Sequence, residues 1–269
     1  MKKLITLLLL FFAVAISSQA QELYVFTEPA SNMPSKTLSF KLTGRYPQGN
    51  GKQRYMPEVM LGINKNWMVH ASTTLSDYYS DNIRWESARV YGKYRFFSND
   101  DIHKHFRMAA FGDVALTNNP YLYNEVNLEG DNDGAQVGLI ATQLISKVAI
   151  SGTAAYTRVF NGNSAAHEHD GKPSYHMLNY SLSAGYLVLP KDYTDYNQTN
   201  LNVYFEVLGM RSLDQKHYAI DFAPAIQVIV KSNTKINLGY RFQATGSMTR
   251  IAEKSFQVSL EHTLFNILK

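Results

Sequence analysis

The sequence predicts an all-β protein, a transmembrane antiparallel up-and-down β-barrel of about twelve strands. Three observations predict it. The chain opens with the grammar of a secretory signal peptide. No later stretch approaches the roughly 18 consecutive apolar residues that a membrane helix needs. The remainder breaks into segments in which apolar and polar side chains alternate with period two, the pattern of strands with two different faces.

The signal is read from residues 1–20. Lys2 and Lys3 form a basic start, Leu4 to Ile16 is apolar apart from Thr6, and Ser18-Gln19-Ala20 reads as a cleavage site before Gln21. The apolar run is too short to span a bilayer, so export and cleavage are expected. The chain contains no cysteine. A lipid anchor on cysteine, disulfide staples, thiolate metal sites and cysteine catalysis are therefore excluded. The 26 Lys and Arg stand against 22 Asp and Glu. They are interspersed rather than gathered in a basic stripe, which argues against a nucleic-acid partner. Tyr (18) and Phe (14) are abundant while charge is only 18%. A chain rich in aromatics, with no spanning helix, is then a soluble β-protein or a transmembrane barrel, and pattern decides between them.

Residues 21–36 contain Pro29 and Pro34 and little periodicity, and read as a periplasmic leader able to tuck into a barrel mouth. Then the strands begin. Thr37 to Arg45 sets Leu38, Phe40 and Leu42 against Ser39, Lys41 and Thr43. Pro57 to Ile63 and Trp67 to Leu75 continue the alternation. In Glu86 to Phe96, Ala88, Val90, Gly92, Tyr94 and Phe96 oppose Arg89, Tyr91, Lys93 and Arg95, a charged face that would be odd in a soluble sandwich core. Phe106 to Leu116 follows, with Arg107 and Asp113 on the polar face. Ala135 to Ile145 and Val148 to Phe160 form a pair whose faces are less clean. Met177 to Leu189, Leu201 to Gly209, Tyr218 to Val230, Lys235 to Ala244 and Ser255 to Phe265 complete the set.

An even count places both termini on the periplasmic side, and the links should then alternate between long outer loops and short inner turns. The odd links fall near 46–54, 76–84, 117–133, 161–174, 210–217 and 245–254. The even links fall near 64–66, 97–104, 146–147, 190–200 and 231–234. Three of the five even links are tight; 97–104 and 190–200 are looser. Trp67, Trp85, Tyr94, Phe96, Tyr186, Tyr240, Phe242 and Phe265 lie near strand ends, where interfacial girdles form.

In a barrel the apolar face meets lipid and the polar face lines the interior. The inward, pore-lining candidates are Lys41, Glu58, Arg89, Lys93, Arg95, Arg107, Asp113, Glu206, Asp221, Arg241 and Glu261. Mixed sign lets opposite charges on neighbouring strands pair. Two readings follow: Arg89, Lys93, Arg95 and Arg107 give the wall a positive field that favours anionic solutes, or the charges pair and plug a narrow lumen. Twelve strands sit between filled small barrels and open channels. His167-Glu168-His169, with His176 behind, suggests a weaker alternative, a metal-binding outer loop. No cofactor is implied otherwise. The expected partners are outer-membrane lipid, barrel-insertion machinery and a small solute.

His70 and Ser72 share a strand face, and this H-x-S arrangement resembles outer-membrane phospholipase A, also a twelve-stranded barrel. That family follows its serine with asparagine where this chain has Thr73, its active pair faces the lipid side, and no third triad member is indicated. As architecture, residues 37–265 resemble the broad class of outer-membrane β-barrel proteins, and more loosely the meta-pathway phenol-degradation outer-membrane protein. The alternation and terminal aromatic of Ser255 to Phe265 resemble the signal read by insertion machinery, although Asn266 to Lys269 extend beyond it. The resemblance implies an outer-membrane location in a Gram-negative cell and a channel or transporter, and it carries over no catalytic residue.

Overall fold

The computed structural model describes residues 24–101, 104–160, 174–191 and 197–267. Twelve strands follow in order: β1 (Thr37–Pro47), β2 (Arg54–Gly62), β3 (Trp67–Ser76), β4 (Arg84–Asp101), β5 (Lys104–Thr117), β6 (Gly134–Ile145), β7 (Val148–Val159), β8 (His176–Leu189), β9 (Asn200–Ser212), β10 (Tyr218–Val230), β11 (Thr234–Gly246) and β12 (Lys254–Leu264). Each strand pairs antiparallel with its chain neighbours, and β1 pairs with β12 to close the barrel. Closure satisfies every strand through its neighbours and leaves no edge for a bilayer to desolvate. Among the described residues, no helix is long and apolar enough to cross a membrane.

Burial alternates along each strand, with the apolar residues on the outside. Leu42 is 51% and Val90 61% exposed, whereas Lys93 and Glu206 are 0% exposed. A soluble protein buries the opposite set. Aromatic pairs gather near both rims. Trp67 lies 4.6 Å from Tyr94 between ring centroids near the rim where β1 begins and β12 ends, and Tyr240 lies 4.7 Å from Phe256 towards the other rim. The outward apolar band and its aromatic rims match the cross-section of a bilayer.

The largest departure from the expected boundaries is the β4–β5 link. The strands continue through Ser98, Asn99, Asp100 and Asp101, so the link expected at 97–104 shrinks to residues 102–103. These polar residues extend the hairpin beyond the apolar band, where no inside–outside alternation marks a strand. The ambiguous faces of β6 and β7 have a different cause. Ile140 and Leu144 point inward and are buried, while Leu139 and Ile145 point outward and are exposed. Both faces of β6 are therefore apolar, and something apolar must fill the lumen beside it.

Candidate functional site

That filling is the segment preceding β1. From the rim where β1 begins and β12 ends, it runs back across the lumen. Ala30 packs with Ala109 and Ile140, while Tyr24 and Val25 pack with Leu144, Ala149, Tyr204 and Ala225. Backbone groups of this leader have no strand partner, so wall side chains satisfy them. Glu206 on β9 accepts from the Val25 N–H at 3.0 Å and the Phe26 N–H at 2.9 Å, and its second oxygen accepts from Thr27 Oγ1 at 2.6 Å. Lys93 on β4 donates to the carbonyls of Pro29 (2.7 Å) and Ser31 (2.9 Å) and to Glu28 Oε2 (3.1 Å). Arg107 Nη1 donates to Ser31 Oγ at 2.9 Å, and the Ala30 N–H donates to Thr142 Oγ1 at 2.8 Å. The strands that hold the leader lie on different sides of the barrel, so it spans the mouth rather than lying along one wall. Glycine makes room for it. A Cβ on Gly239 would come 2.6 Å from the ring of Phe26.

From the opposite rim, residues 118–133 between β5 and β6 fold inward. Val126 packs against Val159, Met177, Ala219 and Met248. Glu129 pairs with Arg45 at 2.8 Å and with Arg89 at 3.5 Å. Asp131 pairs with Arg54 at 2.5 Å, and the same guanidinium pairs with Glu86 at 2.9 Å. Glu125 pairs with Arg241 at 3.2 Å and Arg250 at 2.5 Å. Gly130 adopts φ +144° at the tip, directly beside Arg54 and Thr74, where a β-carbon would strain the chain.

Between leader and loop lies a chamber of about 310 Å³. Of the inward candidates, Lys41, Glu58, Arg89, Asp113 and Arg241 line it. Lys93, Arg107 and Glu206 instead grip the leader. Asp221 pairs with Arg241 at 2.5 Å and with Arg250 at 2.7 Å. Glu261 pairs with Lys235 at 2.7 Å and accepts from Ser39 Oγ at 3.1 Å. Arg95 is half-buried beside a register shift on β4, outside the chamber lining.

Pairing between neighbouring strands accounts for Lys41 with Glu58 (3.7 Å), Arg89 with Asp113 (Nε to Oδ2, 3.0 Å), Lys235 with Glu261 and Arg241 with Asp221. Strand periodicity does not identify the rest. The acids Glu28, Glu125, Glu129 and Asp131 come from the leader and the loop, and they meet Lys93, Arg241, Arg250, Arg45, Arg89 and Arg54. In the sequence, the acidic, glycine-bounded run Gly130 to Gly134 marks a loop by its composition without giving its direction.

The two plug carboxylates that face the chamber are strongly held in the charged form. Burial alone would raise Glu28, but Lys93, His70 and Lys41 outweigh it and hold the carboxyl at about 2, against an ordinary 4.5. Glu129 is likewise opposed by burial and held at about 2 by Arg45, Arg89 and Lys41.

His70 and Ser72 both line the chamber. His70 Nδ1 is hydrogen-bonded to Glu58 at 2.9 Å, and its Nε2 is buried without a partner. No Ser72–His70 hydrogen bond forms, and the pair faces the lumen rather than lipid. His167 and His169 lie outside the described residues. His176 sits against Tyr156 and Arg158, and a neighbouring guanidinium disfavours a cation. Among the described residues, no group of three or more His, Asp or Glu side chains is placed to hold a metal.

No family model and no curated protein matches the sequence. Solved structures do match in shape. The KdgM porin superposes with a TM-score of 0.50 at 10% identity, covering 83% of this chain and 98% of that one. The KdgM porin in complex with disordered oligogalacturonate gives 0.53 at 8% identity, covering 84% and 98%. At such identities the likeness speaks for architecture alone, and with the closure and inverted burial above it yields one conclusion: this chain has the closed twelve-stranded antiparallel β-barrel fold of outer-membrane porins.

Proposed function

We propose that the chain is an outer-membrane channel or transporter for small solutes, occluded at rest by its leader and its β5–β6 loop. The observation that carries this reading is the polar chamber enclosed by a barrel whose outer surface is apolar. A barrel that served only as an anchor would have no use for an internal space lined by Lys41, Arg89, Glu58 and Asp113. A similar solved barrel is a porin in complex with an oligogalacturonate, which supports a solute-carrying role.

The plugs fit gating because they are held by side chains rather than by strand pairing. Their release breaks none of the strand ladders that close the barrel. Proteoliposome swelling tests the proposal. Liposomes containing the folded chain should swell in isotonic small solutes faster than empty ones. Equal rates for every solute would refute it.

A further inference from the structure

Two arginines on the outer surface of the barrel differ from those inside it. The alternation of β7, β8 and β9 puts Arg158, His176 and Arg211 on the face that carries Tyr156, Leu178 and Tyr180, and both arginines are exposed. Inside the barrel, Arg45, Arg54, Arg89, Arg241 and Arg250 each pair with a carboxylate. Among the described residues, Arg158 and Arg211 pair with none. The Arg158 guanidinium instead lies against the His176 ring, which also hydrogen-bonds the Tyr156 hydroxyl. Asp214, on the β9–β10 link, is held by the Ser212 hydroxyl at 2.8 Å and the Tyr175 N–H at 2.7 Å.

Their height on the barrel is that of a membrane interface. Register sets Arg211 level with Leu178 and Tyr156 on one side and with Tyr218 on the other, so it lies in a row that ends in exposed tyrosines. Arg158, opposite His176, lies two residues further out. Toward the middle of the barrel the outward side chains are apolar: Ile150 on β7, Leu182 on β8 and Phe205 on β9. This rim carries the long 118–133 link, while the opposite rim has turns such as 146–147, so by the rule of long outer loops it faces outside.

Uncompensated guanidinium groups at the top of an apolar strip call for a molecule with an anionic head and an apolar tail. Tyrosine rows sit at headgroup depth, and the planar fork of arginine takes a phosphate through two parallel hydrogen bonds. The two arginines stand two strand spacings apart across β8, about 10 Å, so both long side chains can close on one headgroup. A soluble anion would leave the apolar strip unused. A second copy of this chain, docking by the same face, would bring like charges together.

We infer that the outward face of β7, β8 and β9 holds one phosphorylated lipid of the outer leaflet, its headgroup between Arg158 and Arg211 and its acyl chains along Leu178, Leu182 and Phe205. His176 is a positioning residue for Arg158. The inference goes beyond the channel proposal and does not depend on it. It uses the outside of the barrel, so lipid retention and solute flux can fail separately.

The test is native mass spectrometry of the folded full chain released from a neutral detergent. The chain is first incubated with bis-phosphorylated lipid A, with the same lipid after phosphatase treatment, or with the phosphorylated lipid and inorganic phosphate together. One phosphorylated lipid should be retained per chain, the dephosphorylated lipid far less, and inorganic phosphate should not displace it. Arg158→Gln combined with Arg211→Gln should weaken retention about 10-fold or more, as expected for two charges facing a phosphate surface. Lys65→Gln, which removes an exposed cation from the opposite rim, should leave it unchanged. Heat-modifiable migration checks that each variant forms the barrel, and the contrast between the two lipids needs no variant at all. Equal retention of the dephosphorylated lipid, displacement by inorganic phosphate, full retention in the double variant, or a chain dimer in place of the lipid adduct overturns the inference.

Discussion

Lys93 on β4 and Glu28 of the leader meet inside the barrel, with Lys93 Nζ 3.1 Å from Glu28 Oε2. The lysine is 0% exposed and also collects the carbonyls of Pro29 and Ser31. A buried ammonium needs such partners, because desolvation is otherwise prohibitive. Wall and leader are thus mutually dependent. The leader supplies the acceptors that let a lysine sit in the lumen, and the lysine supplies the donors that fix a segment without secondary structure.

Lys93→Met should accordingly loosen the leader while leaving the barrel closed. The loss is about 1.5–3 kcal/mol for each charged hydrogen bond removed. Because the chain has no cysteine, a single Asn32→Cys label reports on the leader alone. Its nitroxide spectrum should gain a mobile component in Lys93→Met. An unchanged spectrum would show that Lys93 does not hold the leader.

The same label should respond to acid. Glu28 has a folded value of about 2 and an ordinary value of 4.5. A depressed carboxyl contributes its full stabilisation above its ordinary value and loses it as pH falls through the folded value. Docking of the leader should therefore weaken progressively from about pH 4.5 downward and lose this contribution near pH 2. In Glu28→Gln that part of the pH dependence should disappear; a persistent slope of equal size would assign it elsewhere.

Gly239→Val tests the leader by shape instead of charge. Its new β-carbon would fall 2.6 Å from Phe26 Cε2, too close for that ring to stay, and 3.3 Å from Val25 Cγ1. Heat-modifiable migration in a detergent gel should persist, showing an intact barrel, while the Asn32→Cys label becomes mobile. Loss of heat-modifiability would mean that the leader is needed for the barrel itself.

Glu129→Gln removes the carboxylate shared by Arg45 and Arg89. The chamber wall then becomes more basic, and the reversal potential under a KCl gradient should shift toward anions. No shift would indicate that the ion path avoids this wall.

Much of the barrel was legible because lipid outside and polar groups inside impose a period of two. Tyr218–Val230 was bounded as found, and the inward faces of β1 and β4 were assigned residue by residue. Legibility ended where that contrast ended. The hairpin of β4 and β5 runs past the apolar band, and β6 is apolar on both faces because Ala30 and Tyr24 pack inside it. The candidate site was half visible. Periodicity put Lys41, Glu58, Arg89 and Asp113 on the polar face. It carried no information on Glu28, Glu129 and Asp131, which reach the lumen from segments without periodicity. Which lumen residues stand side by side on neighbouring strands, as Arg89 and Asp113 nearly do, depends on register, which alternation within each strand does not fix.

Planar-bilayer recording tests the central claim, a solute path closed by the leader, most directly. The unmodified chain should give small or infrequent openings, and Lys93→Met combined with Gly239→Val should give larger and longer ones in the same membrane. Identical currents from the two proteins, or silence from both at every voltage, would contradict it.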